Sequence, residues 1–242
     1  MNDTNSPAKK PFPLFIVLAV VGLALVGSLL FGVFVGKPMW DAAQEQITIN
    51  RMKVIAIGMH NYHDTHQMFP QAAFQDEEGK PFCSWRAMIS YIDESDLFKQ
   101  YDRQQPWDSP DNLRFADETP EAFRSPQCDC SDGKTPFVVV VGPNTMFPAD
   151  QQLDIRECKD GRENTLLLIA DLENPVPWSE PRDLSLEDFL KRYSSQVTDQ
   201  KPLYVALVHA GMVRISKIAP KDLENLAVRN DGQTISFEGR TM

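Results

Sequence analysis

Hydrophobic positions follow three different regimes along this chain. From Leu14 to Gly36 the sequence LFIVLAVVGLALVGSLLFGVFVG carries no charge, and Ser28 is its one polar side chain. As a helix this run reaches roughly 34 Å, enough to cross a hydrocarbon core of ~30 Å. A helix is required there because lipid offers the backbone no other hydrogen-bond partner. A core helix rarely stays uncharged over such a length. The apolar part of a cleaved signal is shorter and ends in a small-x-small site, whereas Gly36-Lys37-Pro38 follows here. The run therefore predicts a transmembrane helix over 14–36, with a tail at 1–13 and an external domain at 37–242. Lys9 and Lys10 precede the span and Lys37 follows it. That balance places the tail in the cytosol and the C-terminal domain in the periplasm or outside the cell.

The second regime has a period near 3.6. Pro38 is expected to kink a continuous helix. Residues 39–67 nevertheless read as an amphipathic helix whose stripe is Trp40, Ala43, Ile47, Val54 and Gly58, with Ile57 and Tyr62 at its edges. Asp41, Glu45 and Lys53 lie opposite, together with Ile49. Phe69-Pro70 ends the helix. A shorter helix is expected from Ser84 to about Tyr101, with Trp85, Met88, Ile89, Ile92 and Leu97 as its stripe. Leu184–Tyr193 and Lys221–Val228 read as short surface helices.

The third regime consists of short β-branched or apolar runs bounded by Gly, Pro or charge: Phe137–Val141, Thr165–Ile169, Leu203–Val208 and Val213–Ile218. The last two suggest a hairpin around His209–Met212. Strands follow helices without regular alternation, so the fold class is α+β, with a long amphipathic helix laid on an antiparallel sheet.

Composition narrows the partners. The 242 residues carry a net charge of −10. Removing Lys9, Lys10 and Asp3 from the totals of 24 basic and 34 acidic residues leaves the part beyond residue 36 near −11. With no dense Lys/Arg cluster, nucleic acid is not expected as a partner.

Four cysteines fall in the external domain: Cys83, Cys128, Cys130 and Cys158. An even count in an oxidising compartment favours disulfides, and three complete connectivities are possible. A C-x-C ring is strained, so Cys128 and Cys130 are expected to pair with Cys83 and Cys158 in an open order. Zinc held by C-x-C and the two other cysteines is the alternative. His60, His63 and His66 stand at i, i+3 and i+6, which suits a transition metal if two imidazoles share a face. The third is rotated about 120° away, so a polar helix end is the plainer reading. His209 is a further candidate for a bound metal or small ligand. Trp107 and Trp178 sit in the rigid segments PWDSP and PVPWSEP, as core plugs or as an interaction surface. Gly133-Lys134-Thr135 ends like a phosphate-binding loop, but position 128, where that loop requires Gly, is Cys. No catalytic set is legible, so neither an enzyme nor a cofactor is expected.

Several motifs in order carry a family resemblance: HNYHDTHQMFP (His60–Pro70), SWRAMISYID (Ser84–Asp93), PWDSPDN (Pro106–Asn112), VVVGPNTMF (Val139–Phe147), DGRENTLLLIADLENPVPWSEPRDL (Asp160–Leu184) and the final hairpin. The chain resembles, from about Pro38 to Asp231, the prepilin-like family of unknown function expanded in planctomycete bacteria. That resemblance implies a pilin-like fold and no known reaction. It also implies other envelope or pilin-like proteins as partners. The family's N-terminus usually has a Gly-Phe cleavage site and a Glu inside the apolar helix. Here Lys10-Pro11-Phe12-Pro13 stands at the junction and Leu14–Gly36 holds no Glu, which favours a permanent anchor. The expected role is assembly or interaction at the envelope. A tethered binding module for a small ligand or metal is the alternative.

Overall fold

The computed structural model describes residues 14–89 and 96–242. The chain divides into two units, residues 1–43 and 44–242. The tail at 1–13 lies outside the described residues.

In the first unit, α1 (Leu14–Phe31) is followed by a π-helical turn, Gly32–Gly36. Leu18, Leu23, Leu29 and Phe34 stand exposed. The hydroxyl of Ser28 donates back to the Ala24 carbonyl at 2.8 Å, so the one polar side chain is satisfied within the helix. The N-terminal helix is long and apolar enough to cross a membrane. Pro38 comes just after the π turn. Its ring would collide with the carbonyl four residues back in a regular helix, and the Lys37 N–H reaches the Gly32 carbonyl, one residue further, instead.

Helix α2 spans Lys37–His66. It ends where Gln67 turns into the left-handed region at φ 62°, just before Phe69-Pro70. Its buried face differs from the sequence expectation. Thr48, Ile49, Met52, Ile55, Ala56 and Met59 are buried, together with Gly58 and Tyr62 of the expected stripe and its edge, while Trp40, Ile47 and Ile57 are exposed. The face is turned by roughly 110° from the expected stripe at 100° per residue. Apolar residues occur nearly all round this helix, so its partner, not its own pattern, selects the face.

The segments that follow are short. β1 (Ala73–Gln75) pairs antiparallel with β2 (Pro81–Ser84). The expected helix Ser84–Tyr101 is not continuous. α3 (Trp85–Met88) starts on Ser84, whose hydroxyl accepts from the Arg86 N–H, and stops at Ile89. α4 covers Asp96–Gln100, and Ile92 lies outside the described residues. α5 (Pro110–Leu113) begins on a Ser109 cap with Pro at its first position. β3 (Lys134–Thr135), β4 (Phe137–Val138) and β5 (Val140–Val141) succeed one another. They lead to β6 (Leu166–Ala170), β7 (Val176–Pro177), β8 (Leu184–Ser185) and α6 (Leu186–Tyr193). β9 (Leu203–Leu207), β10 (Met212–Ile218), α7 (Pro220–Ala227) and β11 (Phe237–Thr241) complete the order.

Among the described residues, the main sheet runs β11-β10-β9-β6-β4, with every neighbouring pair antiparallel. β9 and β10 form the expected hairpin, with Ala210 left-handed at its turn. Side chains alternate across the sheet. Tyr204 and Ala206 of β9 face one core with Ile49, Met52, Ile55 and Met59 of α2. Leu203, Val205 and Leu207 face a second core with Phe189 of α6 and Leu223 and Leu226 of α7. Both faces of the inner strands are therefore covered, which explains why β6 and β9 read as continuous apolar runs, whereas the edge strand β11 is largely exposed. The fold is α+β, as the pattern of elements predicts.

Candidate functional site

A concavity with a volume of about 470 Å³ lies on the second unit. Three stretches build it: Ile47 and Arg51 from α2, the segment Thr119–Pro126, and the loop Cys130–Lys134. Each is held by a specific device. The Thr48 and Ser125 hydroxyls share a buried 2.7 Å hydrogen bond, tying α2 to the second stretch. Phe123, wholly buried, anchors a 3-10 turn at Glu121–Phe123. Thr119 donates to the Lys134 carbonyl at 3.1 Å, and the Arg124 Nε–H donates to the Thr119 carbonyl at 2.7 Å. Gly133 adopts φ +80°, and a Cβ there would run into the Ala116 carbonyl. Arg51 and Glu121 form an ion pair across the groove. Arg51, Arg124 and Lys134 against Glu121 and Asp132 leave the lining with a small positive excess, on a chain that is acidic overall.

The loop also corrects the expected cysteine pairing. Cys128 is joined to Cys130, with Cα atoms 5.1 Å apart, while Cys83 and Cys158 are free thiols. Strain in the short ring argued for distant partners, but the loop brings the two Cα atoms within ordinary disulfide range. Cys83 is buried in the core, and Cys158 is half-buried with its Sγ 3.2 Å from Met146 Sδ. Burial pushes both thiols up to about 11. A group raised in the folded state favours folding below its ordinary value, and the contribution fades as pH rises through the raised one. For Cys83 this amounts to roughly 3 kcal/mol, lost between about pH 9 and 11. Alkaline urea titrations should show that loss, and Cys83→Ala should remove its share while leaving that of Cys158.

The histidines do not converge as a set. His60 is edge-on to Phe69 at 5.4 Å, and His63 tilts over the same ring at 5.0 Å. His66 instead packs on Tyr62 at 4.1 Å. His63 Nε2 accepts from the Ile155 N–H at 3.3 Å and lies 3.8 Å from the Asp154 carboxylate. Burial holds the His60 imidazole below its ordinary value. His209 sits in the hairpin turn with Nδ1 3.4 Å from the Arg162 carbonyl. Among the described residues, no three His, Cys, Asp or Glu side chains gather as metal ligands.

The tryptophans part company. Trp178 is fully buried and packs against Phe98 and Tyr101, which agrees with its reading as a core plug and corrects the alternative of an interaction surface. Trp107 is half-buried, with its backbone N–H on the Phe82 carbonyl at 2.9 Å.

Sequence reasoning missed the strongest polar feature. Arg86 and Asp183 form a buried ion pair at 2.7 Å. Asp183 also accepts from the Trp85 indole at 3.1 Å and the Val139 N–H at 2.9 Å. Arg86 donates to the Phe137 carbonyl from both Nε and Nη2. Burial pushes the Asp183 carboxyl up and the Arg86 guanidinium down, and each charge offsets the other's cost. An Arg set between Trp85 and Ala87 was the available signal, because a charge in an apolar stretch needs a buried partner.

These features describe an α+β protein with an apolar N-terminal helix and a polar groove beside a short disulfide. Residues 47–140 match a family described as "Protein of unknown function (DUF1559)". The matched stretch holds the whole groove lining and Arg86, while Asp183 lies beyond it. No curated protein and no solved structure matches the chain.

Proposed function

We propose that this is a membrane-anchored, pseudopilin-like protein of the cell envelope, non-enzymatic, whose external domain serves assembly or interaction. The observation that carries this reading is the exposed, uncharged N-terminal helix on a chain whose next helix, α2, packs one face on an antiparallel sheet. An anchor fixes the domain at a surface, where partners diffuse in two dimensions and weak contacts gain effective concentration. The basic residues Lys9 and Lys10 support a cytosolic tail and an external domain. Envelope or pilin-like proteins are the partners this reading implies.

Membranes carrying the native protein test it. The chain should stay with the membrane through an alkaline carbonate wash. Protease added to cells whose outer layers have been opened while the inner membrane stays sealed should digest the second unit, and the unreduced intact mass should correspond to the full chain with or without Met1. Soluble protein whose mass begins after Gly36 overturns the anchor. A mass beginning near Phe12 revives prepilin-type processing and a filament subunit. A second reading, a tethered module for a small ligand, draws on the groove with Arg51, Arg124 and Lys134.

A further inference from the structure

A disulfide that ties distant elements together stabilises a fold by shortening the unfolded chain. The Cys128–Cys130 bond spans a sequence separation of 2 and lies within a single loop, so it constrains almost nothing and serves poorly as a staple. It is also accessible. Both cysteines are half-buried, with Asp129 exposed between them and Ser131 exposed after them. Cys130 lines the groove, whereas Cys128 is not part of its lining. Arg51, Arg124 and Lys134 stand in the same lining against Glu121 and Asp132, a small positive excess that favours an incoming thiolate. Cys83 is the opposite case, a buried thiol, while Cys158 is half-buried against Met146; burial holds both in the neutral form.

The geometry points to the Cys128–Cys130 disulfide as a thiol–disulfide exchange site, with thiols as its substrates and the groove as their entry. This goes beyond the anchoring role, does not depend on it, and adds a reaction to a chain otherwise read as non-enzymatic. A substrate thiolate attacks Cys130 Sγ, the sulfur in the groove. A bond forms between the substrate sulfur and Cys130, the bond to Cys128 breaks, and Cys128 leaves as a thiolate that takes a proton from solvent. A second substrate thiolate attacks the substrate sulfur of this mixed disulfide and releases Cys130. Two substrate thiols are thereby oxidised to one disulfide, and the protein gains two electrons and two protons as a pair of thiols. Exchange with another disulfide, run in reverse, restores the starting state.

Two sources offer this chemistry, a small thiol or a cysteine of another protein. The test therefore has two arms on the full-length protein in detergent micelles: reduced glutathione, and reduced, unfolded ribonuclease. After each, iodoacetamide labelling and peptide mapping locate the free thiols. Labels are expected at Cys128 and Cys130, with Cys83 unlabelled and the melting transition essentially unmoved. The faster arm identifies the source. In the variants, where the remaining cysteine of the pair is a free thiol, oxidised glutathione is the probe: Cys128→Ser should accumulate a mixed disulfide at Cys130, with glutathione released as the leaving thiol, several-fold more than Cys130→Ser does at Cys128, because only Cys130 lines the groove. A bond that both reductants leave closed in the folded protein, but open once it is unfolded, overturns the proposal. So does native mapping that finds Cys128 and Cys130 unjoined. Both of these measurements use the unmodified chain, so a variant that fails to fold does not shield the proposal.

Discussion

Replacing Arg86 by Met should destabilise the second unit by about 3–5 kcal/mol, because it strands Asp183 as a buried, uncompensated charge. On a domain of this size that corresponds to a fall in Tm on the order of 10 °C. The pair ties three separate parts of the chain. Arg86 stands in α3, the Phe137 carbonyl it grips belongs to β4, and Asp183 precedes β8. Trp85 closes the arrangement, its indole on the Asp183 carboxylate and its ring 4.7 Å from the Arg86 guanidinium carbon. Asp183→Asn should also destabilise, since it leaves the guanidinium without its counter-charge. The double variant Arg86→Met/Asp183→Leu should cost much less than the sum of Arg86→Met and Asp183→Leu alone, because no charge is then left buried alone. Thermal unfolding of the four proteins in one detergent measures the coupling. Additive losses would mean that the two residues act independently.

Trp178→Ala should produce a loss of similar size, about 3–5 kcal/mol, through the cavity left by a fully buried indole. Trp178 meets Phe98 edge-on at 5.6 Å and Tyr101 at 5.4 Å, and Phe98 in turn meets Phe123 at 6.2 Å. Phe123 underlies the groove, so the cavity should loosen that wall as well as lower stability. Trp107→Ala, at a half-buried site, is expected to cost clearly less. Urea unfolding followed by fluorescence distinguishes the two. Equal losses would place Trp107 in the core, against its position in the structure.

The legible part of this protein is whatever a local pattern can express. An uncharged run such as Leu14–Gly36 has one physical solution in lipid, so its helix follows from length and composition. The strands Leu203–Leu207 and Met212–Ile218 follow from short β-branched runs around a turn, and α6 and α7 from their apolar spacing. The break after α3 was less legible, because Trp85, Met88 and Ile89 continue a plausible helical stripe while the chain turns at Ile89.

Three things were decided only by tertiary structure. The buried face of α2 is one, since Ile47 and Ile57 were as apolar as Ile49 and Ile55, and the sheet chose between them. The partner of Arg86 is another: Asp183 lies 97 residues away, and no local periodicity links the two. The third is the cysteine pairing. Composition and compartment argued for disulfides in general, but the bond between Cys128 and Cys130 depends on the conformation of the loop beside the groove. Sequence by itself determined the elements and the apolar helix, because those depend on residue type and period. Faces, long-range partners and the groove required the folded chain, because each depends on which surfaces meet.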